Sequence, residues 1–291
     1  MTGEQGPVHV VGAAGHQGAA VLKHLRALGV EARALFGARD VRRNHERWSG
    51  QGASTVRFDQ PEELARTLRS ASALVLILED PDTGPAERLR HGQNLVDAAE
   101  AAGVGHVVFA AATGPDHHRL SCDVSSEIAR YLERSNVPAT ILRPATFMEE
   151  IPWYWLNRFG RELVLTTPFV PTAHLPMVAL DDMGALAALA VSRPQDFTGH
   201  VLDVAGDTRT PLDVASLLTT GLGEPVRYEE VQVEGVFVYQ EASTQVHDIG
   251  ALRGLYQQLH TLESWLEAGG GLELCRREVG PAPAESARRA A

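Results

Sequence analysis

Seven residues near the amino end, Gly12-Ala13-Ala14-Gly15-His16-Gln17-Gly18, carry three glycines at regular three-residue spacing. They follow an apolar run, Val8–Val11, and open a helical pattern. Such a pattern suits phosphate chemistry. Gly12 permits a tight turn, Gly15 lets backbone approach a pyrophosphate, and Gly18 lets the helix pack close to the strand. The amides around Ala14, His16 and Gln17 at the helix start would face the phosphates. The expectation is a dinucleotide cradle.

The residues after the second strand decide which dinucleotide. They read Leu35-Phe36-Gly37-Ala38-Arg39-Asp40, then Arg42-Arg43. An acidic strand end would hold a ribose 2'-hydroxyl. None stands there, and arginine forks such as Arg39 and Arg43 suit a 2'-phosphate. NADP(H) is therefore favoured over NAD(H), while Asp40 keeps the NAD alternative open if the loop bends differently. Asp59 and Gln60, after the third strand, are candidates to meet the adenine. Leu78 and Glu79 end the fourth strand and would flank the cofactor crevice.

The elements that must position these residues alternate. Strands are expected at Val8–Val11, Val30–Phe36, Val56–Phe58, residues 73–78, residues 106–112 and Ala139–Leu142. Helices are expected at Gln17–Leu28, from Pro61, at Ala86–Ala102 before Gly103, and at Leu120–Arg134. Short apolar strands separated by helices argue for a parallel sheet with both faces covered. From Arg143 onward prolines and aromatics crowd the text. There we expect a helix at Asp181–Val191, a strand at residues 201–206, a helix after Pro211, an extended piece at Val226–Val231 and a helix over Ile249–Ala268. The fold class is α/β, a Rossmann-type doubly wound parallel sheet with a small C-terminal substrate lobe. Residues 1–145 form the core, 146–278 mainly the lobe with a segment near 175–206 returning to the core, and 279–291 a flexible tail.

Composition excludes several classes. A net charge of -11 disfavours direct binding to the phosphate backbone of nucleic acid. The two cysteines, Cys122 and Cys275, lie far apart and outside any CxxC spacing. No metal site is expected, and a reduced compartment is. No stretch reaches membrane-spanning length and the start has no basic-then-apolar leader pattern, so a soluble, cytoplasmic protein is expected. Lys23 is the only lysine.

Four segments together resemble the NmrA-like family of atypical short-chain dehydrogenases. They are VVGAAGHQG (10–18), GQNLVDAAEAAGVGHVVFAAA (92–112), SSEIARYLERSNVPATILRPATFMEE (125–150) and LPMVALDDMGALAALAV (175–191). The resemblance implies a Rossmann core, a lobe over the cofactor, and cofactor contacts from Ala111, Ala112, Pro144 and Phe147. It also places Met148, Trp153 and Tyr154, with Phe147, on the substrate side. An aromatic wall there would suit a planar apolar ligand.

The chain departs from the usual catalysis. Short-chain dehydrogenases use a tyrosine and a lysine four residues apart, the tyrosine as proton donor. Lining up the helix around Glu127 puts Leu120 and Val124 at those positions. Hydride transfer itself requires mainly a positioned cofactor and a dry pocket. Polar help would then come from Thr113, His117 or His118. Ser121, Cys122 and Asp123 also lie near.

The resulting expectation is an NADPH-dependent reductase of a planar apolar carbonyl or quinone-like compound. The alternatives are an NADP(H)-binding redox-sensing regulator or scaffold without turnover, and a non-redox biosynthetic enzyme such as a cyclase, dehydratase or isomerase. A monomer or homodimer is expected, with a protein partner if the chain is a regulator.

Overall fold

A computed structural model of the chain describes residues 6–37, 53–78, 83–111, 120–231 and 248–281, those of 120–123 by backbone alone. The described chain divides into two units. The first comprises residues up to Pro144 together with Leu180–Val204; the second comprises Ala145–Ala179 and residues from Ala205 onward.

The first unit is a seven-stranded sheet. Its strands are β1 (Val8–Val11), β2 (Ala32–Gly37), β3 (Ser54–Val56), β4 (Ala73–Ile77), β5 (Val107–Ala110), β6 (Ala139–Pro144) and β11 (Val201–Val204). They lie in the order β11-β6-β5-β4-β1-β2-β3. Every pairing in this sheet is parallel. From β1 the chain steps outward to β2 and β3, then crosses back to β4, so the winding reverses between β1 and β4. That reversal is the switch point of a doubly wound fold. All residues of β1, β4 and β5 are buried, as strands covered on both faces must be.

Helices α2 (Pro61–Leu68), α3 (Pro85–Ala102) and α4 (Leu120–Arg134) cover one face. There Leu64, Leu95, Ile128 and Leu132 pack with Leu35, Leu76 and Phe109 of the sheet. Helices α1 (His16–Ala27) and α5 (Leu180–Ser192) share the other face. The first lies along β1 and β2, the second along β5 and β6, and the two pack against each other. A short helix, α6 (Pro194–Phe197), leads into β11. Proline stands first in α2, α3 and α6, where its missing amide costs nothing. Gly103 ends α3 at φ +70°, the left-handed geometry that favours glycine.

Two expected strands differ in their bounds. The second begins at Ala32 rather than Val30, because Val30 donates its amide to Leu25 in the turn that closes α1. The third ends at Val56, because Arg57 already accepts the Gln60 amide in the turn into α2.

The second unit holds two small sheets. One, in the order β12-β10-β7, joins β7 (Thr146–Phe147), β10 (Leu175–Val178) and β12 (Asp207–Arg209). The other, in the order β13-β9-β8, joins β8 (Leu156–Phe159), β9 (Glu162–Thr167) and β13 (Val226–Glu230). A π-helical turn spans Ile151–Trp155, and α7 (Pro211–Leu222) starts from a capping box between Thr210 and Asp213. The helix expected over 249–268 is broken. Tyr256 is extended, so α8 (Ile249–Leu255) ends there, and Thr261 caps a new helix, α9 (Leu262–Glu267), through Ser264. Helix α10 (Gly271–Val279) follows. The core of this unit gathers Met148, Trp155, Leu165, Met177, Leu218, Trp265 and Cys275.

Candidate functional site

The glycine turn lies at the carboxyl end of β1, beside the switch point. Gly12 has φ +77°, and a Cβ there would come 2.4 Å from the Ile77 carbonyl oxygen at the end of β4. Only glycine meets both demands. A Cβ on Gly18 would lie 2.3 Å from the Gly12 carbonyl oxygen and 2.6 Å from the Ala13 Cα. The first turn of α1 therefore rests directly on the loop that precedes it. Gly15 differs. Its amide donates to the Gly12 carbonyl at 3.0 Å, its φ is -79°, and a Cβ would meet nothing nearer than that same oxygen at 3.4 Å. The space over Gly15 is open, as an approaching phosphate requires.

Helix α1 has no acidic residue in its first turn, so its own sequence leaves the positive end of its dipole in place. His16 is exposed there, Gln17 is largely buried, and Ala14 is half-buried. Five further predicted contacts line up along the same carboxyl edge of the sheet. Asp59 and Gln60 are exposed past β3, Leu78 follows β4, Ala111 follows β5 and is buried, and Pro144 ends β6. Behind Asp59, the Phe58 carbonyl accepts from Asn94 of α3 at 2.8 Å, and the Phe58 ring meets His91 edge-on at 5.5 Å. These contacts fix the turn that presents Asp59 and Gln60.

Several candidates lie outside the described residues: Arg39, Asp40, Arg42, Arg43, Glu79, Ala112, Thr113, His117 and His118, and the side chains of Leu120, Ser121, Cys122 and Asp123. Val124, where alignment puts the lysine, is buried in the apolar core among the α3 and α4 residues. A charged amine could not occupy that place without severe desolvation.

Phe147, Met148, Trp153 and Tyr154 belong to the second unit. Phe147 is half-buried on β7. Met148, expected to face a ligand, is instead fully buried in the core of this unit. Trp153 and Tyr154 stack edge to face at 6.4 Å on the π-helical turn, and Tyr154 is 70% exposed. Trp155, the next residue, turns inward against Phe169 at 5.9 Å.

Three polar arrangements escaped the reading of the sequence. Asp181, at the start of α5, accepts from Lys23 and lies 3.0 Å from His24 Nε2, both on α1. Burial alone would raise its carboxyl pKa, but hydrogen bonds from Lys23 and His24 outweigh that and hold it below the usual range. His106 and His9 are buried at the sheet, and desolvation lowers both pKa values. Arg33 pushes His9 further down, against a smaller opposite pull from Glu31. Arg143 on β6 grips Asp203 on the neighbouring β11 at 2.7 and 2.8 Å. Acidic residues at the head of α5 were legible as a helix start, but a pairing across 158 positions leaves no local signal.

Among the described residues no group of three or more His, Cys, Asp or Glu side chains is placed to hold a metal ion. No described helix is long and apolar enough to cross a membrane.

Comparison with known proteins agrees with this architecture. The nitrogen metabolite repression protein nmr of Neurospora crassa is 27% identical over 168 residues, which is 52% of this chain and 34% of that protein. The match thus spans about a third of that relative's length. NmrA, a negative transcriptional regulator solved with NADP, superposes with a TM-score of 0.70 at 14% identity, covering 95% of this chain and 99% of that one. The same regulator has also been solved with NAD. The Citrobacter sp. triphenylmethane reductase complexed with NADP(H) superposes with a TM-score of 0.71 at 18% identity, covering 94% and 100%. The sequence pattern of the NmrA-like family matches residues 4–271. With the glycine turn, the doubly wound sheet and this match in hand, the chain belongs to the NmrA-like family of atypical short-chain dehydrogenases.

Proposed function

We propose that the chain binds a nicotinamide dinucleotide, NADP(H) in preference to NAD(H), and reduces a planar apolar carbonyl or quinone-like compound. The observation that carries this reading is the glycine turn at the switch point, tightly packed at Gly12 and Gly18 and open over Gly15. When bound, the nicotinamide supplies a hydride. The amides at the start of α1 hold the pyrophosphate against the positive end of the helix. Leu78 and Ala111, at the ends of adjacent strands, wall the crevice with apolar surface. Arg39 and Arg43 follow β2 in sequence and would hold a 2'-phosphate by paired charged bonds. The carbonyl oxygen draws its proton from Thr113, His117 or His118, or from water, because Leu120 and Val124 offer no acidic proton. NmrA, solved with NADP and with NAD, and triphenylmethane reductase, solved with NADP(H), lend weight to a nicotinamide dinucleotide, and the preference for NADP(H) rests on the arginines.

A second reading draws support from Val124. An apolar core residue at the lysine position suits a protein that binds the dinucleotide and passes the redox state to a protein partner. One experiment separates the two. The chain is titrated with NADPH by nicotinamide fluorescence, and a panel of quinones and triphenylmethane dyes is then added. Loss of signal in proportion to protein supports the reductase. Tight binding without turnover moves the assignment to the regulator. No binding overturns both.

A further inference from the structure

The dinucleotide reading concerns the loop before α1, yet the loop is only half of what holds that helix. On its other side α1 packs against α5, where the backbone of Gly184 lies directly against Ala20. A Cβ on Gly184 would lie 2.7 Å from both the carbonyl carbon and the Cβ of Ala20, and 2.9 Å from the Ala20 carbonyl oxygen. One turn earlier in α5, Asp181 meets Lys23 and His24, one turn later in α1. Both helices run from the carboxyl edge of the sheet to its amino edge, α1 from β1 to β2 and α5 past His106 into β11, so the pair is parallel and the Lys23 and His24 side chains reach back along α1 to Asp181.

Both contacts suit the helix ends they join. Lys23 and His24 lie in the carboxyl-terminal half of α1, and Asp181 lies in the first turn of α5. Each charge complements the dipole of its own helix. Helix α1 is therefore clamped between two surfaces of backbone. Gly18 rests on Gly12 and Ala13, and Ala20 rests against Gly184. Neither contact can give by rotating a side chain.

We propose that Gly184 and Asp181 are positioning residues for the dinucleotide: without touching it, they set where the first turn of α1 presents its amides to the pyrophosphate. This rests on the dinucleotide reading above. An alanine at 184 must push the two helices apart, because backbone atoms stand where its methyl would go. Each amide that loses its alignment with the pyrophosphate weakens a hydrogen bond to a charged group, so the displacement should weaken NADPH binding about tenfold.

The test compares Gly184→Ala with Gly92→Ala. Gly92 on α3 is also crowded, with a Cβ placed 2.5 Å from Ile128 Cδ1, but by a side chain, and it lies on the other face of the sheet. Both substitutions should lower Tm. Affinity for NADPH is measured by fluorescence well below each variant's Tm, so that every sample is folded. The expected result is a Kd about tenfold higher for Gly184→Ala and unchanged for Gly92→Ala. Equal Kd values for wild type and Gly184→Ala overturn the inference, and so does an equal rise in both variants. If Gly184→Ala does not fold, Asp181→Asn decides. It keeps the size of the side chain and removes its charge, and a weakened Kd supports the clamp whereas an unchanged one overturns it. Failure of the wild-type chain to bind NADPH would overturn the dinucleotide reading and this inference together, a result distinct from binding that ignores position 184.

Discussion

His106 Nε2 lies 2.9 Å from the hydroxyl of Thr140, and the direction of the bond between them is determined. Thr140 donates its own hydrogen to the Phe197 carbonyl at 2.8 Å. Its oxygen can then only accept from the ring, so the imidazole carries its proton on Nε2. Both side chains are buried, and the chain links β5, β6 and the end of α6 inside the first unit. Thr140→Val removes the acceptor and leaves a buried N–H without its partner. The variant should lose about 1–3 kcal/mol of stability, measured by urea unfolding. A loss no larger than that of an exposed threonine would contradict this account.

Acid should destabilise the first unit before carboxylates begin to titrate. Burial holds the His106 and His9 pKa values below 6.5 in the folded chain. A depressed folded pKa means that the unfolded chain binds more protons. Their contribution is therefore complete above pH 6.5 and is lost as pH falls through the lowered folded values. Tm should decline between pH 7 and pH 5, and His9→Asn should make the decline shallower. A Tm that stays flat across that range would remove the argument.

Two glycines of one turn should respond differently to the same methyl group. Gly15→Ala meets open space at an ordinary φ, so the fold should survive with a Tm close to wild type. Its methyl nevertheless stands where a pyrophosphate approaches, and NADPH affinity should fall at least about tenfold. Gly18→Ala collides with backbone and should lose both binding and stability. Unchanged NADPH binding by Gly15→Ala would argue against this turn as the cradle.

Arginines 39 and 43 should govern the choice of cofactor. Removing both, as Arg39→Ala with Arg43→Ala, should raise the Kd for NADPH about tenfold or more, as expected for lost bonds to a charged phosphate. Affinity for NADH should stay within about twofold, since it has no such group. Parallel fluorescence titrations measure the ratio. If NADH binds the wild type more tightly than NADPH, the choice lies with Asp40 instead.

Cys275 should be chemically silent in the folded protein. It is fully buried, and desolvation pushes its thiol pKa up to about 12. In a Cys122→Ser background, a thiol reagent at pH 8 should label nothing until denaturant is added. Rapid labelling of the native variant would show that the core of the second unit opens readily.

The two units were legible to different degrees, for physical reasons. Strands such as Val8–Val11 and Ala73–Ile77 are continuous apolar runs flanked by helices, and a strand covered on both faces must read that way. The glycine turn was equally plain because its roles belong to the backbone, where residue type alone decides what fits. The second unit gave little warning. Its strand β7 has two residues and β12 three, and β12 pairs with β10 some thirty positions away, as Thr208 does with Pro176. The hairpin of β8 and β9 carries no clean alternation, and Pro152 with three aromatics hides a π-helical turn. Within the site, the clamp on α1 was invisible for a related reason. Gly184 reads as one small residue in an alanine-rich helix until Ala20 is seen against it.

The return of Leu180–Val204 to the first unit has a consequence for synthesis. During translation, β6 emerges with a bare outer edge, because its neighbour β11 follows some sixty residues later. Until then the half-built sheet can pair with strands from other nascent chains. Helix α5 arrives in the same late instalment. A truncated chain ending near Pro144 would therefore hold every glycine of the turn and still be a poor stand-in for the nucleotide-binding unit. The useful excision is a different one, replacing Ala145–Ala179 by a short bridge and stopping after Val204.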